Sequence, residues 1–280
     1  MVKDPSFAET NDIPDMAKAM EIVWAAYNVG AAQWGPIHAL TDNAYLDHSP
    51  LLSRSPDGTL LLAWVANSGN ELIGTTSSPD RIWYAFWNSA AKTFAEPTCI
   101  TRDLVACSDY RIANYGKQAL LAYSQDLDGV LFATNSAGQS VGSIDQEVFV
   151  LRIQDTNWFE PLRITTNDVA DVSPAPRFDS AGKEQLVWLS GSNLVMRSGL
   201  EAAAPSLVRE SSNQVANFRT IARKDDRVVL VWQGVETNGM DLYYRSYDPG
   251  FDSWSEDKRL TQTSQTESDF EGSFAFSNRL

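Results

Sequence analysis

The stretch Tyr247-Asp248-Pro249-Gly250-Phe251-Asp252-Ser253-Trp254, closed by Leu260-Thr261, decides the fold. It holds an aromatic, a second aromatic seven residues on, and a Leu/Ile-Thr pair completed seven further on. The same spacing recurs at Tyr27, Trp34 and Leu40-Thr41, and at Trp87, Phe94 and Ile100-Thr101. A fourth copy keeps its second half, Trp158 before Ile164-Thr165. The segments leading into three copies align without gaps: Glu21 to Asn28, Arg81 to Asn88 and Asp241 to Asp248. Self-similarity at such a period marks a repeat architecture.

Two more landmarks recur. Asp47, Asp109, Asp171 and Asp269 follow each Thr by six or eight residues, and Asn217 holds the equivalent place after Ser211. A turn then leads into an apolar run ending in an aromatic: Gly58 to Trp64, Gly116 to Tyr123, Gly182 to Trp188 and Asp226 to Trp232. Each repeat thus contains four short runs rich in β-branched and aromatic residues, punctuated by turn residues. That pattern predicts four-stranded antiparallel blades and an all-β, five-bladed β-propeller. The blades are expected at 42–101, 102–165, 166–211 and 212–261. The fifth is assembled from 262–280 plus 1–41, so that strands from both termini close the ring of a single domain, residues 1–280. Closure of this kind removes two open sheet edges. The rival reading is a slice of a longer array. One short helical turn is expected around Asp15 to Ala19, from the high helix propensity of Met16-Ala17-Lys18-Ala19-Met20.

Composition narrows the partners. Twenty-two Lys and Arg against 36 Asp and Glu leave a net charge of −14, which repels a nucleic-acid backbone. The apolar runs are strand-sized, so no membrane insertion is expected. Cys99 and Cys107 with His38 and His48 make neither a disulfide framework nor a Cys-His metal cluster. A monomer is expected, standing alone or within a larger chain.

The segment Ser246 to Trp254 resembles the Asp-box of sialidase-like propellers, with one extra residue before the Trp. Tyr110-Arg111-Ile112 is similar to the sialidase Tyr/Phe-Arg-Ile-Pro motif, with Ala113 in place of the proline. The repeat as a whole looks like the divergent blades of large bacterial extracellular proteins. The resemblance implies a turn between third and fourth strands at the box, a structural role for it, and an extracellular or surface location. In sialidases an arginine cluster clamps a carboxylate, and Arg111 and Arg219, with Arg54 and Arg177 further along, are the corresponding candidates here.

Function is expected on the face carrying the long polar loops Asn67 to Asp80 and Asp126 to Asp145, because variable loops on a rigid scaffold are where binding concentrates. Asp47, Asp109, Asp171, Asn217 and Asp269 are the candidate metal ligands, an oxygen-donor set suited to Ca²⁺. The alternative is that each caps the entry to its blade. His48, Tyr110, Arg111, Arg219 and Glu271 are the candidate binding residues. Asp126-Leu127-Asp128-Gly129 hints at a calcium turn but lacks a third ligand at loop spacing. With no nucleophile placed beside His48, the leading expectation is a non-catalytic recognition module that binds glycan or protein. The alternatives are a glycoside hydrolase using Asp47, Asp109, Asp171 and Glu271, and a structural spacer.

Overall fold

The seven-residue spacing between aromatics is a strand register. In the computed structural model Tyr27 lies opposite Trp34, Trp87 opposite Phe94, and Tyr247 opposite Trp254, each pair joining a third strand to a short return strand. The residue after the first aromatic shapes the turn between them. Asn28 Oδ1 accepts the Ala31 N–H, Asn88 Oδ1 those of Ala90 and Ala91, and Asp248 Oδ1 that of Gly250, as Asx side chains do in tight turns. The Asp-box-like segment therefore occupies a turn between third and fourth strands.

The recurring Thr is a cap. Thr41, Thr101, Thr165 and Thr261 accept through Oγ1 the backbone N–H of Ile22, Ile82, Val148 and Leu242, at 2.8, 2.7, 2.9 and 2.8 Å. Each supplies the ladder bond that the third strand lacks at its start. We expect Thr101→Val to cost about 1–3 kcal/mol, the penalty of an unsatisfied buried N–H, and Thr101→Ser to restore most of it. Chemical denaturation checks both; a Val variant as stable as the wild type would show that the N–H has another acceptor.

The structure describes residues 13–101, 103–129, 132–134, 140–142, 145–154, 157–201, 204–210, 215–222, 226–237 and 239–262. A short helix, Ile13–Lys18, precedes the strands. Four antiparallel meanders follow in chain order. The first sheet runs from Leu46–Arg54 through Leu60–Asn67 and Asp80–Asn88 to the short Thr93–Phe94 and Thr98–Cys99. The second is built on Cys107–Tyr115, Gln118–Asp126 and Gln146–Gln154, the third on Asp171–Phe178, Glu184–Ser190, Asn193–Ser198 and Ser206–Arg209, and the fourth on Val215–Ala222, Val228–Glu236 and Gly239–Asp248. Ahead of them Val23–Trp24 pairs with His38–Ala39 and Tyr27–Asn28 with Gln33–Trp34, the third- and fourth-strand pattern of one more sheet. The strands expected at Met1 to Pro5 and Phe270 to Phe276 lie outside the described residues.

Each first hairpin turns on a left-handed residue: Gly58, Gly116, Gly182 and Asp226, with φ of 91, 59, 78 and 60°. Glycine meets that requirement at no steric cost. The core lies between neighbouring sheets. Leu61, Ile82 and Tyr84 of the first sheet pack with Tyr110, Leu121 and Ile153 of the second. Leu120 and Val150 pack with Leu186 and Trp188 of the third, and Val187 and Met196 with Phe218 and Trp232 of the fourth. Both faces of the inner sheets are thus covered, which is why their second strands read as nearly continuous apolar runs. Among the described residues no helix is long and apolar enough to cross a membrane.

Candidate active site

The repeated acidic residues fall into two structural classes. Asp47 lies opposite Ala66 and Asp171 opposite Ser190, each two residues beyond its sheet's buried Trp. Their carboxylates accept the indole N–H of Trp64 and Trp188 at 3.0 and 2.8 Å, and the amide of Asn43 and Asn167 at 2.8 and 2.7 Å. Asp171 is 0% exposed and Asp47 2%. Burial pushes the Asp47 carboxyl up, against the pull of these hydrogen bonds. The residues at the same register in the second and fourth sheets are Cys107 and Val215, opposite Gln125 and Gly234.

Asp109 and Asn217 stand one pair further along, opposite Ser124 and Gln233. The first and third sheets carry a bulge after the Asp, at Ser49-Pro50 and Ser173-Pro174, where both serines adopt positive φ (51 and 55°). The second and fourth carry it before, at Ser108 and Ala216. One extra residue reverses the face on which a side chain emerges. Asp109 and Asn217 consequently point away from their sheet's central aromatic.

Both are held by an arginine two residues on. Arg111 donates through Nη1 to Asp109 Oδ1 at 2.7 Å and to the Tyr110 carbonyl, and Arg219 does the same to Asn217 Oδ1 at 2.7 Å and the Phe218 carbonyl. The Asp109 side chain keeps 22% of its surface open. Burial raises its carboxyl above the usual range, opposed by Arg111, by a hydrogen bond from Ser173 and by Arg219. Residues of the second, third and fourth inner strands therefore act on one partly open carboxyl.

Tyr110 is a brace: its hydroxyl donates to the Ser49 carbonyl and, at 3.3 Å, to that of Ala63, tying the second sheet to the first. His48 pairs its Nδ1 with Ser49 Oγ at 2.9 Å, and burial lowers its basicity. Asp269 and Glu271 lie outside the described residues. The loop from Asn67 to Asp80 is organised from within. Asn67, 0% exposed, donates to the Ser78 carbonyl and Asp80 Oδ1 and accepts from Gly69, Glu71 and Ser78. Gly74 sits where a Cβ would come within 2.4 Å of the Leu104 carbonyl oxygen.

The carboxylate oxygens of Asp47, Asp109 and Asp171 do not all lie within 4.8 Å of one another. Among the described residues, the three acidic side chains whose donor atoms lie within 4.8 Å of one another are Asp126, Asp128 and Asp145. Asp145 is the third carboxylate that spacing along the loop does not reveal, because the loop doubles back, pairing Phe132–Thr134 with Ser140–Gly142.

Successive antiparallel sheets packed face to face in chain order, with charged residues on their first strands, are the arrangement of a β-propeller and resemble the sialidase-like propellers. The sequence matches no family model and no curated protein. Solved structures share the fold. The K499G mutant of the NanB sialidase from Streptococcus pneumoniae aligns at a TM-score of 0.50 and 10% identity, over 78% of this chain and 52% of that one. The α-L-arabinanase of Penicillium chrysogenum, in complex with arabinobiose, aligns at 0.51 and 15%, over 79% and 68%. An ulvan lyase of polysaccharide lyase family PL25 aligns at 0.50 and 12%, over 82% and 58%. The chain spans about half the length of the sialidases it matches. These neighbours overturn the expectation of a non-catalytic recognition module: each is named for an enzyme that cleaves carbohydrate, in line with the hydrolase alternative.

Proposed function

We propose that the chain is a carbohydrate-cleaving enzyme, a glycoside hydrolase whose reacting carboxyl is Asp109. The observation that carries this reading is the asymmetry of the acidic residues. Asp47 and Asp171 are sealed against an indole and an amide, whereas Asp109, whose carboxyl burial raises as it does that of Asp47, is partly open. A carboxyl that keeps its proton further up the pH scale suits the acid that protonates a glycosidic oxygen. Arg111 and Arg219 offer donors beside it for substrate hydroxyls or an anionic substituent. The test is release of reducing ends from arabinan, uronate-containing polysaccharides and sialylated glycans, with Asp109→Asn as the diagnostic variant. No release from any of these glycans, or release that survives the substitution, would sink the assignment.

The strand pairs at 23–39 also support a fuller architecture. They would form the outer half of a fifth blade, with residues 262–280 as its inner strand, making residues 1–280 one ring. Deleting 262–280 is expected to lower the melting temperature of the whole protein, and an unchanged cooperative transition would refute terminal closure. A polymeric glycan substrate would place the protein outside the cell or on its surface.

A further inference from the structure

The first and third sheets carry the same bulge, Ser49-Pro50 and Ser173-Pro174, with left-handed serines at φ of 51 and 55°. A residue with a Cβ is strained there, and the proline that follows narrows the backbone further. Strain of this kind persists where the surrounding structure imposes it, and it gathers at functional sites. The two hydroxyls go to different places. That of Ser49, at an exposed position, pairs with Nδ1 of its neighbour His48 at 2.9 Å. That of Ser173, at a half-buried one, crosses to the second sheet and donates to the Asp109 carboxylate.

Asp109 is thus gripped from two sides. Arg111 of its own strand donates to Oδ1 at 2.7 Å, and Ser173 reaches it from a strand held in place by its pairing within the third sheet. Arg219 of the fourth sheet, bonded to Asn217, adds its charge. Asp171, on the same strand as Ser173, is taken up by Trp188 and Asn167. Cys107 and Tyr110 feel the Asp109 charge, but burial pushes the thiol up to about 12 and the phenol up as well, so neither ionises near neutral pH. The first sheet packs on the opposite face of the strand, against Tyr110. Directly across the strand pair from Asp109, and so on the same face, Ser124 has a fully buried hydroxyl with no hydrogen-bond partner.

We propose that Ser173 is a positioning residue for Asp109, fixing the orientation of its carboxyl from the third sheet while Arg111 fixes it from the second. The proposal deepens the hydrolase reading, on which it rests: an acid that must face a glycosidic oxygen has to be held in one orientation. A donor to the carboxylate also favours its ionised form, so Ser173 helps to set the pH at which the proton is lost. Neither role follows from the bulge as backbone geometry, which glycine would meet without strain.

The test is a titration of the full chain carrying carbon-13 at its Asp side-chain carboxyls, the Asp109 resonance being identified by its loss in Asp109→Asn. Ser173→Ala is expected to raise the Asp109 midpoint by about 0.5–1 pH unit, the worth of one net hydrogen bond. Ser173→Gly raises it equally while leaving the melting temperature unchanged or higher, because glycine takes the left-handed conformation at no steric cost. A shift shared by both variants therefore does not come from a loosened fold. Ser124→Ala removes the adjacent, unbonded hydroxyl and leaves the midpoint where it was. An Asp109 midpoint unmoved in either Ser173 variant, or moved as far by Ser124→Ala, would overturn the proposal. The titration reads Asp109 without any substrate, so its failure and that of the hydrolase assignment are separately visible.

Discussion

Replacing Asp171 by alanine is expected to cost about 3 kcal/mol of folding stability, although the residue lies in a ladder of apparently interchangeable acidic positions. Its carboxylate is fully buried and accepts from the Trp188 indole at 2.8 Å and the Asn167 amide at 2.7 Å. Alanine strands both donors, and each buried, unsatisfied group carries a penalty of about 1–3 kcal/mol. Asn167 also shapes the approach to the strand by accepting the Val169 N–H at 2.8 Å, so its displacement reaches the backbone. A loss of this size is a substantial share of the 5–15 kcal/mol that holds a typical domain together. Urea denaturation measures it directly. The control is Trp188→Phe, which removes one donor: in that background Asp171→Ala is expected to cost clearly less. A loss under about 1 kcal/mol for the single change would show that the carboxylate is not the brace its contacts suggest.

Asp109→Asn is expected to separate stability from activity in opposite directions. Removing a general acid typically lowers turnover by about 10²–10⁴-fold, and that is the loss expected in reducing-end release. Stability moves the other way. Burial raises the folded-state Asp109 carboxyl above its unfolded value, with Arg111, Ser173 and Arg219 opposing. The contribution of a raised carboxyl is full below the unfolded value, about pH 4, and is lost as pH rises through the folded one. Asparagine cannot ionise, so the variant should match the wild type in acid and exceed it at neutral pH. Melting curves across pH 3 to 8 check this. Wild-type activity should in turn decline as pH rises through the same raised value, since the acid must hold its proton. A variant less stable at neutral pH than in acid, relative to the wild type, would mean that the Arg111 pairing outweighs desolvation.

The elements legible in the sequence were those that repeat by local chemistry. The aromatic spacing became cross-strand pairs at Tyr27–Trp34, Trp87–Phe94 and Tyr247–Trp254, and the Leu/Ile-Thr pair became a hydroxyl cap. The acidic landmark was less legible because face depends on register, and a bulge changes register by one residue without leaving a distinctive composition. A signal was nevertheless present. Asp47 and Asp171 follow their Thr by six residues and Asp109 by eight, and that difference distinguishes a carboxylate braced on Trp from one paired with Arg. The meeting of Asp145 with Asp126 and Asp128 arises from loop return, which is not written in the spacing of the chain.

The alternation of bulge position from sheet to sheet bears on how the sheets relate to one another. The same number of residues separates Thr41 from Thr165, Asn43 from Asn167, Asp47 from Asp171 and Trp64 from Trp188. The arginine hook likewise skips a sheet, appearing as Asp109-Tyr110-Arg111 and again as Asn217-Phe218-Arg219. Odd sheets match odd and even match even in bulge, brace and hook. Neighbouring sheets are therefore not interchangeable: a braced member and an arginine-bearing member alternate, so the sheets follow one another as unlike pairs rather than as identical units.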